Sequence, residues 1–249
     1  MKVIFHGQVP KDLNFPESNE DAIALSEESY HLAISDGASE SFDSQTWANL
    51  LVRQFIDNPI IDDDWLLLAT NRYLSNFDLT RLSWAKEAAF ERGSFATLLG
   101  VRSTGEYIID VTAVGDSLAV LVDTDNYIDS FPYRSSVEFL QRPFLFCTNL
   151  NNNEFLLKPE QTPKIHQIWS VQNLKSPFVL CMTDALGEWA LKKQSEGDPQ
   201  WDTLIGITDT SQLSALVQEE RAGKEMRIDD VTLVTISLFG EGRDELPHA

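Results

Sequence analysis

Cysteine, histidine and basic side chains are all scarce in this chain of 249 residues. Its 2 cysteines, Cys147 and Cys181, share no metal-ligand or redox spacing and sit in apolar surroundings. They read as buried thiols of a reducing cytoplasm rather than as a disulfide framework. Lysine and arginine total 19 against 39 aspartates and glutamates, a net charge of −20. Such a field repels nucleic acid and anionic membrane, so neither is expected as a partner. No apolar run reaches the roughly 18 residues that a membrane span needs. The opening Met1-Lys2-Val3-Ile4-Phe5-His6 lacks the long apolar core of a signal peptide. A cytoplasmic monomer is the expectation. What the chain does have is a 43% apolar share, enough for a sizeable packed core. No repeat or linker marks a boundary, so one domain is expected over 1–239, followed by a mobile polar tail at 240–249.

Alternation and turn chemistry predict strands at 2–9 and 22–35, the second broken into two at Ser26-Glu27-Glu28-Ser29. A helix is predicted from about 41 to 57, with Trp47, Ala48, Leu51, Val52, Phe55 and Ile56 forming one stripe. Asp62-Asp63-Asp64 opens a second helical region reaching about Arg92. It is interrupted at Asn76-Phe77-Asp78 and restarts with Thr80 as a cap. Short β-branched strands follow at 96–102, 106–114, 117–123 and 127–131. Ser103-Thr104-Gly105 and Gly115-Asp116 read as hairpin connections between them. Weak strand signals lie near 155–158 and 165–171. Phe178–Met182 is a continuous apolar run, expected of a strand covered on both faces. Helices are predicted at 186–194, 199–206 and 211–222, and a last strand at 231–238. Trp47, Trp65 and Trp84 read as core, Trp189 as packing a helix onto its sheet, Glu219 and Glu220 as a solvated face. His166 reads as structural or exposed. Hairpin-linked strands imply antiparallel sheets. The economical arrangement is an α+β fold of two stacked antiparallel sheets with a helical layer outside each, an α-β-β-α sandwich.

Certain acids stand out by position. Glu20 and Asp21 precede a strand, Asp36 ends the next, and Asp116 lies in a turn. Asp184 follows the apolar strand, and Asp229 and Asp230 begin the last one. Side chains at strand termini can meet at one edge of a sandwich. Grouped carboxylates repel one another and need protons or cations. Oxygen donors with no histidine or cysteine nearby suit Mg²⁺ or Mn²⁺ rather than zinc. Single aspartates in turns are commonplace, so each of these residues alone is also explained by Asx-turns and helix caps.

Taken in order, the flanking residues resemble the metal-dependent type-2C protein serine/threonine phosphatases. Asn19-Glu20-Asp21-Ala22, Ser35-Asp36-Gly37, Gly93-Ser94-Phe95-Ala96-Thr97, Gly115-Asp116-Ser117, Thr183-Asp184-Ala185-Leu186 and Asp229-Asp230-Val231-Thr232 are similar to that family's successive motifs. The resemblance implies the same sandwich and a phosphorylated protein as substrate. It also implies two Mg²⁺ or Mn²⁺ ions with a third, looser position, and a metal-activated water that attacks the phosphomonoester. Asp36 would bridge two ions and the Gly37 carbonyl would bind one. Asp184 and Asp229 would complete one shell, Glu20 would hold the other ion through water, and Asp116 would serve the third. Asp21 would orient the attacking water.

The chain departs from the pattern at Pro16, where the family places a phosphate-gripping arginine, and at Ala38-Ser39-Glu40, where it places glycines. Lys11 lacks the guanidinium fork, so Arg81, Arg92 or Arg134 would have to reach in. The departures leave two other readings open. One is a catalytically degenerate binding module with the same fold; the other is a hydrolase of a small phosphate ester.

Overall fold

The computed structural model describes residues 1–26, 31–39, 41–78, 83–124, 126–156 and 164–238. Two five-stranded antiparallel sheets stack face to face. One is ordered β1 (Lys2–Val9), β12 (Val231–Ser237), β11 (Pro177–Met182), β7 (Leu118–Asp123), β8 (Asn126–Phe131). The other is ordered β10 (His166–Ser170), β6 (Ile108–Val114), β5 (Leu98–Gly105), β3 (His31–Ser35), β2 (Ala22–Ser26). A short pair, β4 (Phe95–Ala96) with β9 (Phe146–Cys147), stands apart from both sheets. The α-β-β-α sandwich expected from the pattern is the observed architecture.

The alternation along the strands builds three apolar layers. Ala119, Leu121, Val179, Cys181, Val234 and Ile236 meet Leu32, Ile34, Leu99, Val101 and Val111 between the sheets. Their strand neighbours Leu118, Val120, Leu180, Met182 and Leu233 point the other way, against the helices of the C-terminal half. These are α4 (Asp184–Glu196), α5 (Trp201–Ile205) and α6 (Thr210–Ala222). Ala33 and Leu98 face α1 (Ser44–Asp57) and α2 (Asp63–Leu74). A strand such as β11 therefore carries no polar face. Burial on both sides is why it reads as an unbroken apolar run.

The helices start where short acids can cap them. Asp43 accepts from the Thr46 amide at 3.0 Å, Asp62 from Trp65 at 2.8 Å, and Asp209 from Ser211 and Gln212. The helix α3 (Trp84–Arg92) is capped by Ser83, while Thr80 lies outside the described residues. α3 buries none of its side chains. Trp84, expected in the core, is 83% exposed, because the side that α3 turns inward carries Ala88, Ala89 and Phe90 and Trp84 lies off it. Trp47, Trp65 and Trp189 are core as expected.

Four further expectations need correcting. Gly115-Asp116 is not a hairpin turn: β6 lies in one sheet and β7 in the other, so this turn carries the chain between layers. Strand β5 runs on to Gly105 with a register shift, which moves the β5–β6 turn to Glu106-Tyr107. The stretch Leu150–Leu156 is 3₁₀-helical rather than extended. There the buried Asn153 amide binds both the N–H and the carbonyl of Cys147 at 2.9 Å, as a neighbouring strand would. Glu220 is not simply solvated, since it accepts the Trp189 indole N–H at 2.9 Å. Residues 240–249, the expected tail, lie outside the described residues.

Glycine 100 shows how closely the second sheet and α1 approach. A Cβ at Gly100 would overlap the ring of Phe55, which is fully buried and has no room to withdraw. We predict that Gly100→Ala destabilises the protein by about 1–3 kcal/mol, the usual range for overpacking. Urea denaturation of both proteins measures it, and an unchanged midpoint would contradict the packing described.

Candidate active site at the strand ends

Strand register brings the acids to one end of the sandwich. Ala22 pairs with Ser35 in one sheet, which sets Asp21 beside Asp36. In the other sheet Met182 pairs with both Leu118 and Leu233, aligning the ends of β11, β7 and β12. Asp116, Asp184 and Asp229 leave the fold at those ends. Asp36, Gly37, Asp116, Asp184 and Asp229 line one cavity of about 160 Å³, together with Ala38, Ser39, Thr97, Pro143 and Leu145.

Hydroxyls fix the backbone under these acids. The Asp36 amide donates to Thr97 Oγ1 at 2.8 Å, and the Thr97 amide returns a bond to the Asp36 carbonyl at 2.8 Å. Thr97 Oγ1 also lies 2.7 Å from Ser117 Oγ, tying the loop of Asp116 to the end of β3. Gly115, at φ 105°, packs its Cα against Thr97 so closely that a Cβ would meet Thr97 Cγ2 at 2.6 Å. At Gly37 a Cβ would meet Ser44 Cβ at 2.8 Å and the Glu20 carbonyl at 2.9 Å. Both glycines are therefore required by close approach.

Asp21 does not line this cavity; it lines a different one, with Pro16, Asn19 and Gln45. It is 6% exposed. Its Oδ2 accepts from Thr183 Oγ1 at 3.0 Å and Thr232 Oγ1 at 2.7 Å, while Oδ1 is buried without a partner. Burial, with the charges of Asp230 and Asp229 behind it, pushes its carboxyl up to about 7 despite those two hydroxyls. Asp36 keeps part of its surface open to the cavity but is otherwise ringed by protein. Burial and the charges of Asp21, Asp229 and Asp116 raise it well above the ordinary aspartate value. Asp116 is raised too, chiefly by burial, with the Arg227 guanidinium pulling it back.

Glu20 does not line the cavity. Its Oε2 receives the Lys11 ammonium at 2.7 Å and the Ser39 hydroxyl, and its Oε1 receives the Ser44 hydroxyl. These bonds hold its carboxyl below the usual range although burial opposes them. Arginine 227, two residues before Asp229, is the guanidinium that reaches the acids. It pairs with Asp184 Oδ2 and lies 3.6 Å from Glu188. Of the three arginines expected to serve, the two described do not line the cavity. Arg134 pairs with Asp129 at 2.8 Å, Arg92 ends α3 with its side chain exposed, and Arg81 lies outside the described residues. Neither the lysine nor this arginine stands within a motif, so only their placement on the loops that carry Asp229 and Glu20 could have signalled them.

Among the described residues, no group of three or more His, Cys, Asp or Glu side chains is arranged to hold a metal ion as it stands. Arg227 and Lys11 each neutralise one of these acids, Asp184 and Glu20 respectively. The cavity acids would still suit a hard divalent ion. They offer oxygen only, and Asp184 Oδ1 is buried with no hydrogen bond while Arg227 holds Oδ2. Glu20 already accepts from Lys11 and Ser39 at Oε2 and from Ser44 at Oε1.

Solved structures of the same architecture are serine phosphatases. A bacterial serine phosphatase superposes with a TM-score of 0.54 over 96% of this chain and 99% of its own, at 15% identity. The chain has the fold of these phosphatases. The serine/threonine phosphatase PstP/Ppp of Mycobacterium tuberculosis gives a TM-score of 0.54 at 15% identity, covering 94% of this chain and 98% of that one. The serine/threonine phosphatase Stp1 of Staphylococcus aureus gives 0.55 at 15% identity, with 96% of each chain covered. No family profile and no curated sequence matches the chain. The likeness is therefore one of fold, without sequence similarity at the level of a family. The expected type-2C resemblance meets its counterpart at the level of fold.

The raised acids predict a pH dependence of the metal-free protein. Asp21, Asp36 and Asp116 bind protons more tightly folded than unfolded. The stability so gained is complete below about pH 4 and is lost as pH rises toward 7. In EDTA the thermal midpoint should fall between about pH 5 and pH 8, and Asp36→Asn should flatten that fall. A midpoint that rises across the interval would contradict the crowding of these acids.

Proposed function

We propose that the protein is a divalent-cation-dependent phosphatase of phosphoserine and phosphothreonine in proteins. The observation that carries the proposal is the convergence of Asp36, Asp116, Asp184 and Asp229 on one cavity at the strand ends of a serine phosphatase fold. Asp36, Asp184 and Asp229 would hold the ion, with the Gly37 carbonyl and Asp116 beside it. A bound Mg²⁺ or Mn²⁺ supplies two things here, a water of lowered pKa for in-line attack and neutralisation of the phosphoryl oxygens.

The chain's own residues divide the remaining work. Asp21 has a free, buried Oδ1 and a carboxyl near neutrality, which suits a group that orients a water and exchanges a proton with it. Thr183 and Thr232 hold its other oxygen and so fix its direction. Arg227 takes the part of the arginine that Pro16 cannot supply. Its guanidinium is 37% exposed and pairs with the cavity acid Asp184, and a planar fork held there can grip two oxygens of a phosphate. The cysteines take no part, since burial pushes both thiols up and neither is ionised near neutral pH.

Hydrolysis of p-nitrophenyl phosphate and of a phosphothreonine peptide with Mn²⁺ tests the reading. We expect turnover that EDTA abolishes and that Asp36→Asn lowers by about 10²-fold or more. Arg227→Met should raise KM by roughly 10-fold at saturating Mn²⁺, the loss of one charge-assisted contact. No turnover at any Mn²⁺ concentration would point to a binding module instead. A preference for small phosphate esters over phosphopeptides would move the substrate class.

A further inference from the structure

We propose that the Lys11 ammonium is a built-in cation on the Glu20 side of the centre, so that the site takes one divalent ion rather than two. The inference rests on the phosphatase reading above and concerns its ion count. Lys11 Nζ donates to Glu20 Oε2 at 2.7 Å and to Ser39 Oγ at 2.9 Å, and stands 3.9 Å from Asp230. With Lys11 and the Ser39 hydroxyl both on Glu20 Oε2, that oxygen has no lone pair left for a water held by an ion, while Oε1 already accepts the Ser44 hydroxyl.

The lysine is placed, not merely near. Its backbone amide donates to Asp230 Oδ1 at 2.7 Å, and Asp230 Oδ2 accepts from the Glu20 amide at 3.0 Å. One carboxylate therefore sets both partners of the pair. Arg221 holds the preceding carbonyl, that of Pro10, at 3.2 Å and also binds the Asp229 carbonyl. Lys11 is thus fixed relative to the loop that delivers Asp229 to the cavity. The serine that completes the arrangement, Ser39, belongs to the Ala38-Ser39-Glu40 segment where the type-2C pattern has glycines. Glycine there could not bridge Lys11 to Glu20. A hydroxyl at 39, where that pattern has glycine, and the Lys11 ammonium thereby converge on one acid.

A single ammonium carries half the charge of a divalent ion and is bound covalently to the fold. The Glu20 side is then neutralised at every metal concentration, while the Asp36 side still depends on added ion.

Mn²⁺ binding to the full chain, followed by equilibrium dialysis and electron paramagnetic resonance, tests the count without any assay of turnover. The acidic surface takes weak ions, so only ions lost in Asp36→Asn are counted. We expect one such ion per chain with the six-line spectrum of an isolated Mn²⁺. The double variant Lys11→Met, Ser39→Gly should take a second ion, and the pair should show a spin-coupled signal. Two coupled ions in the unaltered chain would overturn the inference and leave the phosphatase reading standing. A double variant that still takes one would also overturn it. No Asp36-dependent ion at all would overturn both. Should the double variant fail to fold, Glu20→Gln decides. Its Mn²⁺ affinity should match the parent's, whereas a loss of about 10-fold or more, as for a residue supporting a bound ion, would contradict the inference.

Discussion

Repulsion among carboxylates gathered at one end of a sandwich is the constraint on which the site depends. Glu20, Asp21, Asp36, Asp116, Asp184, Asp229 and Asp230 all leave strands at that end, and the register of both sheets gives them no other place to go. A fold that merely needed stability would not keep them there. Each acid is accommodated differently. Asp21 and Asp36 have raised proton affinity, Asp184 pairs with Arg227, and Glu20 takes Lys11 with two hydroxyls. Asp230 spends both oxygens on backbone amides. What remains uncompensated is the cavity side, Asp36 with Asp116 and Asp184 Oδ1, and that is where an external cation has most to gain.

Much of the fold was legible because burial writes itself into the strands. β11 is apolar on both faces, and it lies at the centre of its sheet between a second sheet and a helical layer. The caps at Asp62 and the stripe of α1 were equally plain. What was not legible depended on three-dimensional partners. Gly115-Asp116 has the composition of a hairpin, and nothing local distinguishes a turn that returns to its own sheet from one that crosses to the other. Trp84 carries the largest apolar side chain of its helix, but Ala88, Ala89 and Phe90 make the inward side of α3 and Trp84 lies off it, so it stays outside.

The candidate site divides along the same line. Acids that lie in ordered motifs could be named from sequence, and the cavity collects Asp36, Gly37, Asp116, Asp184 and Asp229. The cations could not be named. Arg227 lies some two hundred residues from the position where an arginine was sought. Lys11 was visible but was judged as a phosphate grip rather than as a partner of Glu20. Charge neutralisation is a property of the assembled edge, and sequence order carries little of it.

The solved serine phosphatases share the architecture at about 15% identity, so the fold is common ground while the chemistry rests on this chain's own side chains. Diffraction from crystals soaked in Mn²⁺ and inorganic phosphate, recorded near the manganese edge, tests the central claim most directly. The account predicts an anomalous peak in the cavity bounded by Asp36, Asp184 and Asp229, phosphate beside it facing Arg227, and Lys11 still on Glu20. A cavity without manganese at saturating concentration would contradict it.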